Sequence, residues 1–192
     1  MQKNKRTIFD TRTLVFVGLL VAMHTVLTRL LVIEIGSSYR ITLGSVCTIL
    51  AGMWFGPLAG GLTGLVADIL GCMLKGYAVN PLITVAAVLW GVIPALLCRF
   101  AKGGRVRKIV VICAAVTVTS VLSSLVFTTI GVALLNGGDF FVSVSAILPG
   151  RLIQWAIMTP VYCVLTFTLY FSPLTSLVKN GTVHQVKDTA KA

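Results

Sequence analysis

The chain is poor in acid. It carries five Asp and Glu against sixteen Lys and Arg, and two His, in 192 residues. One carboxylate, Asp68, falls deep inside an apolar run. Paired-carboxylate catalysis needs two such groups flanking one bond, so it is excluded. No Gly-rich phosphate loop is present, and the chain does not hydrolyse ATP by itself. A nucleophile elbow and a cluster with metal-ligand spacing are also missing. The cysteines (Cys47, Cys72, Cys98, Cys113, Cys163) form no CxxC pair. Each sits in an apolar run, where a thiol behaves as a small hydrophobe. An enzyme is not expected, nor a metal or other cofactor.

Charge of either sign is scarce. It amounts to 11% of residues, against about 25% in soluble domains. Apolar residues make up 57%, and the mean hydropathy is +0.99. Such a chain needs lipid as its solvent. Hydrophobic runs at about 12–33, 40–55, 57–74, 80–98, 109–135 and 147–171 predict an all-α, polytopic membrane protein with six transmembrane helices. The second run reaches only about 24 Å. Gly56-Pro57 joins it to the third with almost no loop, and proline suits the first position of a helix. The run from Leu14 has no small-residue cleavage site behind it and reads as a retained helix. The whole chain, 1–192, reads as one membrane domain, with a basic N-terminus (1–11) and a polar tail (172–192).

The +11 net charge raises the question of nucleic acid. Its distribution answers it. Lys3, Lys5, Arg6, Arg12, Arg99, Lys102, Arg105, Arg107, Lys108, Lys179, Lys187 and Lys191 all fall on one side of a six-span topology. Only Arg29, Arg40, Lys75 and Arg151 fall on the other. Basic loops stay in the cytoplasm, which places both termini there. The excess charge is then a topology signal, with anionic lipid as its partner, not nucleic acid.

The four outer cations are the informative remainder. Arg29 closes span one, Arg40 opens span two, Lys75 closes span three and Arg151 opens span six. One cation at a helix end is ordinary snorkelling. Four of them, with few acids nearby, make a candidate anion pocket. Gly56, Gly60, Gly64 and Asp68 recur every fourth residue, so they share one helix face. That face permits close helix contact and turns Asp68 into the protein, toward Lys75 or an outer arginine. An intramembrane carboxylate is a candidate site residue, with a structural ion pair as the plainer reading. Asn80 and Thr84 straddle the start of span four. Gln154 and Trp155 lie one turn beyond Arg151. Gly18 and Ala22, four apart in span one, permit close approach of another helix.

The stretch RITLG…LAGMWFGPLAGGLTGLVADILG, Arg40 to Gly71, resembles the substrate-binding S components of energy-coupling factor (ECF) transporters, and among them the folate-specific group. Pro81, Thr84, Gly91 and RLIQWAIMTP (Arg151–Pro160) extend the resemblance over most of the chain. At Asn80–Val85 the proline and threonine of the folate pattern stand, with Leu82 and Ile83 in place of its glycine and phenylalanine. The resemblance implies a multi-pass protein of the bacterial cytoplasmic membrane that binds a vitamin at the extracellular side. It implies docking on an ECF transmembrane scaffold subunit through Gly18 and Ala22, with two cytosolic ATPases as further partners. Folate or a reduced folate is the implied ligand, and an S component for another vitamin is the alternative. Arg29, Arg40, Lys75 and Arg151 are then the carboxylate and ring contacts. Tyr39 and Trp155 stack on flat rings, while Asp68, Asn80, Thr84 and Gln154 read polar edges. A lipid-acting membrane enzyme lacks the acid/base groups it needs. A self-sufficient secondary transporter lacks the paired broken helices.

Overall fold

A computed structural model describes residues 11–31, 33–35, 39–76, 78–99, 104–135, 140–173 and 175. The basic N-terminus and nearly all of the polar tail lie outside the described residues. Helix α1 (Thr11–Arg29) leads into strands β1 (Ile33–Ile35) and β2 (Tyr39–Ile41). Helices α2 (Ser45–Phe55), α3 (Pro57–Lys75) and α4 (Pro81–Arg99) follow. Next come α5 (Arg105–Ser120), a π-helical segment (Val121–Thr128), α6 (Thr129–Leu135) and α7 (Phe140–Phe171). The fold is helical, with one addition: β1 and β2 pair antiparallel, Glu34 opposite Arg40.

Among the described residues, four helical stretches are long and apolar enough to cross a membrane: Pro57–Lys75, Pro81–Arg99, Val106–Leu135 and Phe140–Phe171. Thr13–Arg29 and Ser45–Phe55 are shorter apolar helices. Helix α2 has only 11 residues, about 17 Å, because β2 and a turn take up the start of the expected second span. Val46 to Gly52 are all buried, the mark of a helix surrounded by protein. Val46, Ile49 and Leu50 pack with Trp90, Ile112, Val116, Met158 and Tyr162 of α4, α5 and α7. On its other side Cys47 and Ala51 meet Leu20 of α1.

Among the described residues, two glycines are required by backbone geometry. Gly56 (φ +103°) makes the tight corner between α2 and α3, and Gly76 (φ +67°) caps α3 in the left-handed region. A third set is required by closeness. A Cβ on Gly52 or Gly60 would strike the Gly91 carbonyl, and one on Gly64 would strike the Ala87 carbonyl. Of the glycine stripe read from the sequence, Gly60 and Gly64 face α4, while Gly56 sits in the corner with nothing within 4 Å of a Cβ. Helices α2, α3 and α4 touch backbone to backbone, as small residues allow in membranes.

Several threonines inside this apolar bundle are satisfied within their own helix. Thr25, Thr63, Thr117 and Thr119 each donate to the carbonyl four residues earlier. In the π segment the wider turn shows in the same bonds. Thr128 and Thr129 donate to the carbonyls of Ser123 and Ser124, five residues back.

A candidate ligand cavity in the helical bundle

Helix α7 is longer than the sixth span read from the sequence. It begins at Phe140 and runs through Pro149, so Arg151 does not open it. Arg151 lies 11 residues in, about 16 Å from the helix start. Gln154, Trp155, Met158 and Tyr162 follow at three- and four-residue spacing, one face of one helix. With Ser120 and Ser124 they line a small cavity of about 40 Å³. Arg151, Gln154 and Trp155 are brought together as expected. Ser120, Ser124, Met158, Thr159 and Tyr162 were missed.

The cavity wall is held by a directed chain of hydrogen bonds. Trp155 Nε1 donates to Ser120 Oγ at 2.9 Å. Ser120 donates in turn to the Thr117 carbonyl at 2.9 Å. Its remaining contact, with Thr159 Oγ1 at 3.2 Å, therefore has Thr159 as donor. Tyr162 sits edge-on to Trp90 at 5.3 Å and donates to the Thr42 carbonyl at 2.7 Å. Thr42 follows β2 directly, and β2 packs against α7. The hairpin carrying Tyr39 and Arg40 is thereby fastened to the helix that carries the cavity. Arg40 lies on β2 and does not open helix α2; its side chain and that of Tyr39 lie outside the described residues.

A second polar cluster lies between α1, α3 and α4. Asp68 Oδ2 accepts from Thr84 Oγ1 at 2.7 Å. The carboxylate bridges α3 to α4, while Lys75 is exposed at the far end of α3. The Arg29 guanidinium lies over Gly71, where a Cβ would overlap it. Arg29 Nε is buried with no hydrogen-bond partner. A buried donor of this kind favours an acceptor group beside it. Asn80 has a structural role: its Oδ1 accepts from Leu82 N at 3.0 Å, and its Nδ2 donates to the Gly131 carbonyl at 2.9 Å. It caps α4 and ties that helix to α6. Asn80→Ala should cost about 1–2 kcal/mol of stability, read as a lower unfolding midpoint in detergent. An unchanged midpoint would show that the tie carries no load.

Residues 12–171 match the family model described as ECF transporter, substrate-specific component. The chain belongs to that family. An ECF substrate-specific component is a transporter subunit, not an enzyme, and an integral membrane protein. The curated relative "Folate transporter FolT" of Clostridium novyi (strain NT) is 30% identical over 156 residues, covering 80% of this chain and 85% of its own. The crystal structure of FolT bound with folic acid matches with a TM-score of 0.70 at 26% identity, over 84% of this chain and 93% of that one. The structure of the S component of a bacterial ECF transporter matches at TM-score 0.58 and 22% identity, over 83% of this chain and 95% of that one, a likeness of fold.

The two polar clusters are candidate binding elements. Gly18 and Ala22 lie away from both, exposed on α1, with no neighbour within 4 Å of a Cβ built on Gly18.

Proposed function

We propose that this chain is the folate-binding subunit of an ECF-type importer. It takes folate or a reduced folate at the extracellular side, docks on a transmembrane scaffold and relies on two cytosolic ATPases for energy. The observation that carries this reading is the convergence of Arg151, Gln154, Trp155 and Tyr162 on one cavity. Folate has a flat pterin with hydrogen-bonding edges and an anionic glutamate tail. An indole and a phenol suit the ring faces, an amide suits the ring edge, and a guanidinium suits a carboxylate. Arg29, whose buried Nε has no hydrogen-bond partner, is a second anchor, lying over Gly71. Arg40, Tyr39 and Lys75 belong to the rim, on the hairpin and at the end of α3.

Six helical passes put both termini in the cytoplasm. The basic residues Arg99, Arg107 and Lys108 mark that side. The hairpin, Arg29, Lys75 and Asn80 then mark the outside. The cavity volume of about 40 Å³ is far below the roughly 300–1,000 Å³ of ligand pockets. Folate therefore requires this cavity to widen.

The test is a fluorescence titration of the purified protein alone, using its tryptophans, of which Trp155 faces the cavity. Saturable quenching by folate or a reduced folate in the nanomolar range is expected. No response to any folate, with a response to another vitamin, would overturn the substrate assignment and leave the family intact.

A further inference from the structure

A groove of about 530 Å³ runs along the outer surface between α3 and α4. Leu58, Gly61 and Leu62 form one wall, and Val88, Val92 and Leu96 the other. Its floor is deep because residue 61 has no side chain: a Cβ there would press on Val92 Cγ2 at 3.1 Å and Val88 Cγ1 at 3.4 Å. Leu58, Leu62 and Leu96 are exposed along the rim. This face is separate from the vitamin cavity and from the Gly18–Ala22 face of α1.

One end of the groove is charged. Val88, Val92 and Leu96 recur every fourth residue, and Arg99 follows three later on the same face, exposed. Arg107 and Lys108 are exposed in the first turn of α5, the next helix in the chain. Neither α4 nor the α5–α6 rod contains a carboxylate. From Arg99 to Val88 is about 16 Å along the helix, close to half of a ~30 Å hydrocarbon core. The groove therefore has the length of one leaflet, with cations at headgroup level and an apolar slot beneath them.

We propose that this groove seats an acyl chain of one anionic phospholipid, whose phosphate rests on Arg99 and the cations of α5. The leaflet is the cytoplasmic one, a detail that rests on the topology proposed above; the site itself does not depend on the vitamin. Such a lipid wedges the face of α3 and α4 that the protein leaves open.

Native mass spectrometry of delipidated protein titrated with dioleoyl-phosphatidylglycerol or dioleoyl-phosphatidylcholine tests this. The first phosphatidylglycerol should bind roughly tenfold tighter than the first phosphatidylcholine. Arg99→Gln should erase that preference. Leu62→Trp and Leu96→Trp, at exposed rim positions, should each displace the lipid while leaving vitamin binding unchanged, which reports that the fold is intact. Equal retention of the two lipids by the unmodified protein would overturn the proposal. So would loss of preference in Arg99→Gln with full retention in both tryptophan variants, which would mean diffuse surface attraction. If the tryptophan variants instead lose the scaffold and keep the lipid, the groove is a protein-docking surface and the proposal falls.

Discussion

Replacing Arg151 with alanine should weaken folate binding by about 2–5 kcal/mol, roughly 30-fold to several thousand-fold. The size follows from where the residue sits. A cation at a helix end, as the sequence suggested, works in water and is worth little. Arg151 instead lies 11 residues into α7, half-buried, on the face that also presents Gln154, Trp155 and Tyr162. There an anionic group exchanges its hydration for a guanidinium in a low-dielectric slot, and losing one partner leaves the other desolvated. Geometry contributes as well as charge. Arg151→Lys keeps the charge and loses the planar fork of donors, so it should recover only part of the loss. Calorimetric titration of the two variants separates these effects. An unchanged affinity in Arg151→Ala removes Arg151 from the binding set. Equal affinity in Arg151→Lys and the native protein reduces its role to a point charge.

That depth was hidden in the sequence for a physical reason. The sixth run reads from 147, so the two phenylalanines and two serines just before it look like a connection, and Arg151 lies only four residues from the expected start. In lipid a helix runs through such a stretch, because leaving backbone groups unpaired is costly there. The hairpin was hidden for the opposite reason. Its two three-residue strands are too short to show an alternation, so Arg40 read as a helix start. The glycine stripe was legible, since a period of four marks a helix face whatever lies opposite. Its partners, Gly52, Gly91 and Ala87, were not, because only the tertiary arrangement selects them. Tyr162 and Met158 carried a usable signal, being in step with Arg151, Gln154 and Trp155 along one helix. Ser120 and Ser124 carried none: the π segment alters which side chains face inward, and no local pattern announces it.

Gly18→Trp and Ala22→Trp should abolish folate uptake by the assembled importer, a loss of tenfold or more, with folate binding to the isolated subunit preserved within about twofold. The argument starts from exposure. In a membrane helix that packs against its own bundle, small residues are buried against a neighbouring backbone, as Gly52, Gly60 and Gly91 are. On α1 the buried residues are Thr13, Val17, Leu20 and Val21, the last three packed on α2 and α3. Gly18 and Ala22 occupy a different face of the same turn and are exposed. Small side chains there have no internal use, and without a partner helix a larger residue would cover more surface at no cost. Their smallness has a function only if another helix approaches closely, as the scaffold subunit would. A tryptophan would hold that helix several ångströms away and forfeit the contacts along its length. Because neither position touches the cavity, the two readouts should separate: vesicles containing the full importer lose uptake, while the purified subunit binds as before. If binding falls together with uptake, α1 is being displaced from the bundle and these residues support the fold. If uptake survives both substitutions, the scaffold docks elsewhere.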